Sequence, residues 1–136
     1  MSATFVNTVN STIVKVGDSV TYTSAVYAPG THLCASQILS DTATINWDTS
    51  LGQVATVTVA GNRTIATPTN LLAGAYYAIE IIQDTTGSRT AAWSSAFKWA
   101  KNSAPTLSTT ANSRDFFTFK SDGISLFEQG RSQGVI

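Results

Sequence analysis

Short stretches of this chain alternate between apolar and polar residues, which is the pattern of half-buried β-strands. From Ile13 to Tyr27 the alternation continues on both sides of a Gly-Asp pair, as expected for a β-hairpin. A second alternating stretch, Val54 to Val59, is followed by the turn pair Gly61-Asn62. These patterns predict strands joined by tight turns.

Two later segments are the clearest strands. Ala75 to Gln83 is apolar at nearly every position, and "FFTFKSDGISLFE" is typical of a hairpin with Asp122-Gly123 at its tip. No segment has a convincing helical period, and the best candidate, Leu33 to Ser40, is short. We therefore predict an all-β single domain, either an antiparallel β-sandwich or a jelly-roll-like fold.

Composition limits the classes of partner. The 136 residues have a formal net charge of zero, and only 12% are charged, against about 25% in an ordinary soluble domain. Because no basic surface is indicated, we expect no nucleic-acid partner. No apolar run reaches the roughly 20 residues of a membrane helix, so we expect no membrane insertion, and the N-terminus lacks the pattern of a secretion signal.

Few residues offer catalytic or metal-binding chemistry. Cys34 is the only cysteine and His32 the only histidine, and a thiol and an imidazole so close in sequence are one candidate pair. A lone pair in an apolar loop is more often a packing feature, and further metal ligands are not close in sequence. We predict no metal, no cofactor and no catalytic residue.

Carboxylates for glycoside cleavage would have to come from a small set near turns or basic residues. The candidates are Asp41, Asp48, Glu80, Asp84 and Asp115. Solvated or salt-bridged roles fit these positions better than catalysis. Glu80 differs because it interrupts the apolar run "AYYAIEII", so its carboxylate must face water, a partner chain or a cation.

The segment "GNRT" has the residues of a tight turn. Gly61 and Asn62 tolerate positive φ, and Arg63 would return along the sheet edge toward a carboxylate. We predict a salt bridge between Arg63 and a carboxylate such as Asp84.

Three aromatic residues, Trp93, Phe97 and Trp99, lie close together in the sequence. A small β-domain needs large side chains in its core, so packing or a subunit contact is the favoured interpretation. The second interpretation is a platform on which sugar rings stack, with polar contacts from the loop "AKNSAPTLSTTANSR".

Several motifs occur in one order: "GNRT" with "PTN", "QDTTGSRT" before Trp93, "FKW" before "APTLST", and the closing "SDG" hairpin. With them, the stretch from about Thr44 to Phe127 resembles a β-module of tailed-bacteriophage virion proteins, especially tail fibres and related surface appendages. The resemblance implies a non-enzymatic structural or adhesive protein on the virion surface.

Two virion roles follow as expectations from the resemblance. One is a short fibre or receptor-binding tip that attaches to host-surface polysaccharide, and the other is a capsid decoration protein. The alternatives outside this class are a carbohydrate-binding module and a carbohydrate-active enzyme. We expect residues 1–40 to anchor the chain to other virion proteins of the capsid or tail, and residues 41–136 to form the β-module with a short C-terminal tail.

The strand Ala75 to Gln83 also predicts self-association. Both of its faces are apolar, so one face needs a second sheet or a neighbouring subunit. We expect a homotrimer, since closed symmetry satisfies identical patches. The predicted interface residues are Tyr76, Ala78, Glu80 and Ile82, with Glu80 meeting an arginine or its symmetry mates across the axis.

Overall fold

The computed structural model describes residues 35–136, and in this part of the chain nine strands and one short 3₁₀ helix, Ala100–Asn102, are found. The strands are β1 Ser36–Ile38, β2 Thr44–Ile45, β3 Val54–Val59, β4 Arg63–Ile65, β5 Ala73–Gln83, β6 Ala91–Trp93, β7 Phe97–Lys98, β8 Arg114–Asp122 and β9 Leu126–Val135. The all-β prediction is confirmed. The predicted hairpin at Ile13 to Tyr27 and the His32/Cys34 pair lie outside the described residues.

The first six strands wind as a coil between two sheets. Strands β1, β3 and β5 pair in parallel in the larger sheet, with Ser36 beside Val54 and Val54 beside Ala78. Strands β2, β4 and β6 pair in parallel in the smaller sheet. Because successive strands alternate between the sheets, each passage across and back forms one rung of a parallel coil. None of the described segments is a helix able to span a membrane.

A hairpin extends the larger sheet beyond the coil. Strand β8 pairs antiparallel with β5, β9 pairs antiparallel with β8, and the short β7 runs parallel to β9, in the order β1-β3-β5-β8-β9-β7. At the hairpin tip the Asp122 carboxylate accepts hydrogen bonds from the amides of Ile124 and Ser125, and Gly123 has φ of 95°. The predicted hairpin is therefore confirmed.

The predicted antiparallel arrangement is correct only for β5, β8 and β9. The strand pairs of the coil are parallel, because the turns after Trp47 and after Val59 carry the chain to the opposite sheet, and β7 is also parallel to β9. Successive rungs are also held at these turns, where Thr49 donates its amide and its hydroxyl to the Thr69 carbonyl. Alternating polarity is common to parallel and antiparallel strands, so it did not distinguish them.

The inner faces of the two sheets enclose the core. Its fully buried large side chains are Trp47, Phe117, Phe119, Ile45, Ile65, Ile79, Ile81, Leu126, Val57 and Val59. Trp47 meets Tyr77 edge to face at 5.9 Å, and its indole donates to the Gly52 carbonyl, so its polar atom is satisfied. The apolar residues of β3, β5 and β8 thus alternate between this core and the opposite side of the larger sheet.

The C-terminal residues are not a tail. Strand β9 continues to Val135, and Arg131 and Ser132 pair with residues of β8. The buried Asp115 carboxylate accepts hydrogen bonds from the amides of Gly134 and Ser108 at 2.8 and 2.7 Å. The Gly/Ser/Gln composition suggested a tail, but backbone pairing and this carboxylate hold the segment in the sheet.

The described residues before the predicted boundary at residue 40 lie in the same compact unit as those after it. Strand β1 pairs with β3. The Leu39 amide also donates to the Thr56 carbonyl at 2.9 Å. Residues Ser36–Ile38 therefore belong to the larger sheet, whereas the predicted anchoring role of the preceding residues lies outside the described part.

The predicted salt bridge between Arg63 and Asp84 is wrong. The Arg63 guanidinium donates to both oxygens of Asp41, at 2.6 and 2.8 Å, and Asp84 pairs with Arg89 at 2.8 Å. The parallel coil brings the segment after β1 beside β4, which places Asp41 in reach of Arg63. Gly61 does not have a positive φ. A glycine fits this position because the Cβ of any other residue would overlap the Arg63 guanidinium.

The Asp41–Arg63 pair predicts a loss of stability in acid. Hydrogen bonds from Arg63 lower the pKa of Asp41 in the folded protein. A carboxyl group whose pKa is lower in the folded than in the unfolded protein stabilises the fold at pH values above its unfolded pKa, which is near 3.9. This stabilisation is lost as the pH falls through the pKa of the folded protein. We expect Asp41→Asn to lower the melting temperature at about pH 7. Between about pH 7 and pH 3 the melting temperature of the variant should then fall less than that of the wild type. Equal acid sensitivity in both proteins, measured by thermal denaturation, would argue against this pair as a contributor.

Candidate ligand-binding face

The larger sheet has one face toward the core and one face away from it, here called the outer face. Strand β8 shows the division clearly, because Phe117 and Phe119 are fully buried while Phe116, Thr118 and Lys120 are exposed. The two consecutive tyrosines of β5 face opposite sides in the same way, because Tyr77 is 4% exposed and Tyr76 is 60% exposed. The outer face therefore carries aromatic residues of its own.

Four side chains form a row across the outer face, here called the ring–ammonium row. Tyr76 of β5 pairs with Lys120 of β8, Lys120 pairs with Phe127 of β9, and Phe127 pairs with Lys98 of β7. Neighbouring strands lie about 4.8 Å apart, so the row extends over about 14 Å. Aromatic rings and ammonium groups alternate along it.

A row of small residues lies beside the ring–ammonium row. It consists of Ala78, Thr118 and Gly130, which are partners across β5, β8 and β9. On the other side of this row stands Phe116, which is 37% exposed. The small residues are thus bordered by partly exposed rings on both sides.

Only some of the charged side chains on the outer face have a partner of opposite charge. Glu80 accepts from Arg114 at 2.6 Å and from the Thr56 hydroxyl at 3.1 Å, so its charge is paired. Lys120 lies 5.9 Å from the Tyr76 ring centroid, and Lys98 donates to the Ser95 carbonyl. Within residues 35–136 neither lysine is within ion-pair distance of a carboxylate. The row therefore carries unpaired positive charge.

The residues predicted as an oligomer interface all belong to this face. Ala78, Glu80 and Ile82 are half-buried on β5, and Tyr76 is exposed. The Glu80 carboxylate already has an arginine partner in its own chain, so it does not need one across a symmetry axis. The structure brings these four residues together on one strand, beside the ring–ammonium row.

The predicted sugar-stacking residues lie elsewhere and pack against one another. The ring centroid of Trp93 lies 5.1 Å from that of Phe97 and 4.8 Å from that of Trp99. Phe97 is 4% exposed, so its assignment to sugar stacking is wrong. The Trp99 ring is nearly parallel to the Phe97 ring, with centroids 6.0 Å apart. The Arg131 guanidinium lies over the Trp99 ring, 5.5 Å from its centroid. Packing, the favoured interpretation, describes this cluster.

The five candidate carboxylates have structural partners. Asp41, Asp84 and Glu80 pair with arginines, and Asp115 accepts from backbone amides. The Ser50 and Asn70 side chains donate to Asp48 and lower its pKa, with help from the Ser50 amide. Among the residues from 35 onward, no three potential metal ligands converge.

Sequence reasoning missed Phe116, Phe127, Lys98 and Lys120 as site residues. A usable signal was present in "FFTFK", because consecutive phenylalanines of a strand cannot both face one core. An open groove of about 410 Å³ lies elsewhere on the described chain and has no aromatic ring in its lining, which consists of Gln37, Ile38, Ser40, Thr42, Asn46, Asp48 and Leu51.

The comparisons with known proteins agree with the resemblance found in the sequence. A family model described as "Putative phage tail fibre C-terminal domain" matches residues 41–125, which include β2 to β8 and the hairpin tip. No curated protein and no solved structure matches the chain. Since the match covers more than half of the residues, the chain belongs to the phage tail fibre C-terminal domain family.

Proposed function

We propose that this protein is a non-enzymatic attachment module that contacts polysaccharide on the host surface through the outer face. Membership of the tail fibre family makes it a structural component of the phage virion, located in the tail. The proposal adds the contact with the host and the surface that makes it. The observation that carries it is the row of small residues that lies between the exposed rings of Tyr76 and Phe127 on one side and that of Phe116 on the other.

The chemistry of this face suits sugars. A pyranose ring has apolar C–H faces, which stack on aromatic rings, and hydroxyl groups at its edge, which bind polar side chains. Thr118 places a hydroxyl group between Phe116 and the ring–ammonium row, and Thr56 places one beside Glu80 on the same face. The rings stand on hydrogen-bonded strands rather than on loops, so their spacing is fixed before a ligand arrives.

Removal of the rings tests the proposed function. We expect Tyr76→Ala and Phe127→Ala each to weaken binding of the purified protein to host cells by roughly two- to tenfold, since a ring contact contributes about 0.5–1.5 kcal/mol. Tyr76→Ala should change the melting temperature little because Tyr76 is 60% exposed, whereas Phe127→Ala should cost about 1 kcal/mol, as for a partly exposed site. The measurement is a titration of labelled protein on cells.

Thr58→Ala is a matched control for these variants, because Thr58 is exposed on the same sheet in β3, away from the rings. It should bind as the wild type does. Wild-type binding by both ring variants would contradict the proposed contact surface.

A homotrimer that buries the outer face is the second candidate use of this surface. The half-buried Ala78 and Ile82 beside exposed rings favour it. Native mass measurement at low micromolar concentration separates the two uses. A trimer that Tyr76→Ala dissociates would make the face an interface between copies, whereas a monomer of 14.3 kDa leaves it available to a ligand.

A further inference from the structure

We infer that the ligand of the outer face is an acidic polysaccharide, whose carboxylates pair with Lys98 and Lys120 while its sugar rings stack on Tyr76 and Phe127. This inference rests on the proposed attachment function and adds the charge class of the ligand. The ring–ammonium row carries it, because a polymer lying across the strands meets a ring, an ammonium, a ring and an ammonium in turn.

The distribution of charge in the described chain singles out these lysines. Four arginines are present from residue 35 onward, and each is paired with a carboxylate: Arg63, Arg89, Arg114 and Arg131. Lys98, Lys101 and Lys120 have no such partner among the described residues, and of these Lys98 and Lys120 stand in the row with the exposed rings. Charges held in internal pairs stabilise the fold, while unpaired ammonium groups beside exposed rings are available to an anion.

The neighbouring acids do not cancel this charge. Glu80 is held by Arg114, two rows away from Lys120. Asp122 binds the hairpin amides of Ser125 and Ile124, which lower its pKa, and the charge of Lys98 contributes to the lowering. Asp122 therefore offsets part of the charge of Lys98 and leaves Lys120, between two rings, as the strongest anion site of the row.

The same alternation of rings and cations also occurs in sites for single-stranded nucleic acid. Three features favour an acidic polysaccharide here. The formal net charge is zero, the outer face offers two unpaired ammonium groups rather than a long basic groove, and the arginines that suit phosphate are already paired. A sugar polymer with separated carboxylates matches such sparse positive charge.

The test compares polymers that differ in charge. The full chain is titrated with polygalacturonate, hyaluronate and polysialate, with fully methyl-esterified polygalacturonate as the uncharged match for the first, and with poly(dT). We expect at least one acidic polysaccharide to bind more tightly than the methyl ester, and its binding to weaken as salt rises from about 50 to 500 mM. Binding is measured by interferometry on immobilised polymer.

Substitution of the lysines tests which residues hold the charge. The double variant Lys98→Gln/Lys120→Gln should bind the acidic polymer about tenfold more weakly, since one exposed ion pair contributes up to about fivefold. Lys101→Gln is the matched control, because Lys101 is exposed in the 3₁₀ helix outside the row. It should bind as the wild type does.

Each remaining outcome overturns a defined part of the account. Equal binding of the methyl ester, or no effect of the lysine substitutions, overturns the acidic ligand, and the attachment function stands if Tyr76→Ala still weakens binding to cells. Tighter binding of poly(dT) than of the acidic polysaccharides makes the row a nucleic-acid site. Absence of binding to every acidic polymer also overturns the inference.

Discussion

Replacing Phe117 with alanine is expected to lower the free energy of unfolding by about 3–5 kcal/mol, the usual cost of removing a fully buried aromatic ring. Phe117 has no exposed surface, and its ring centroid lies 5.2 Å from Trp93 and 5.7 Å from Trp99. Its loss would leave a cavity where the two sheets and the aromatic cluster meet. A domain of this size has few kcal/mol to spare, so much of its stability would be lost.

The adjacent Phe116 is the matched control. It has the same side chain on the same strand but points to the outer face and is 37% exposed. We expect Phe116→Ala to cost about 1 kcal/mol, as for a partly exposed site. Urea denaturation of both variants measures the difference. Similar losses at the two positions would contradict the assignment of inner and outer faces.

Asp115→Ala has the second-largest expected effect. Its buried carboxylate accepts hydrogen bonds from the amides of Ser108 and Gly134 and from the Gln133 side chain. Alanine would leave the partly buried donors of these hydrogen bonds without an acceptor, at about 1–3 kcal/mol for each group. We expect a loss of about 2–4 kcal/mol, measured by urea denaturation.

Asp115→Asn separates the hydrogen bonds from the shape of the side chain. Asparagine retains one acceptor oxygen, but its amide group would face backbone donors, so its stability should lie between those of the wild type and Asp115→Ala. Faster hydrogen exchange at Ser108 and Gly134 should accompany the change. Unchanged exchange at both amides would show that the carboxylate does not hold the end of β9.

Much of the strand content could be predicted from the sequence, because side-chain alternation is a local property. Val54 to Val59 and Ala75 to Gln83 lie in β3 and β5, and the hairpin at Asp122-Gly123 is present. The parallel coil could not be predicted, since the two kinds of pairing share the same alternation and unequal rungs hide the repeat. Contacts between rungs, such as Arg63 with Asp41, depend on that register.

The candidate site was harder to predict for a related reason. Proximity in sequence grouped Trp93, Phe97 and Trp99, whereas the fold turns these rings against Phe117 and Phe119. The ring–ammonium row draws its members from β5, β7, β8 and β9, which no local pattern connects. Only strand order and register place them side by side.

The central claim is that the outer face makes the contact with the host, and adsorption of whole phage particles tests it most directly. Particles carrying Tyr76→Ala/Phe127→Ala should contain the protein at the wild-type level, because neither substitution touches the core. We expect them to adsorb to host cells at least tenfold more slowly, and we expect purified wild-type protein to slow adsorption of wild-type particles by competition. Adsorption at the wild-type rate by particles with full occupancy of the double variant would contradict the account.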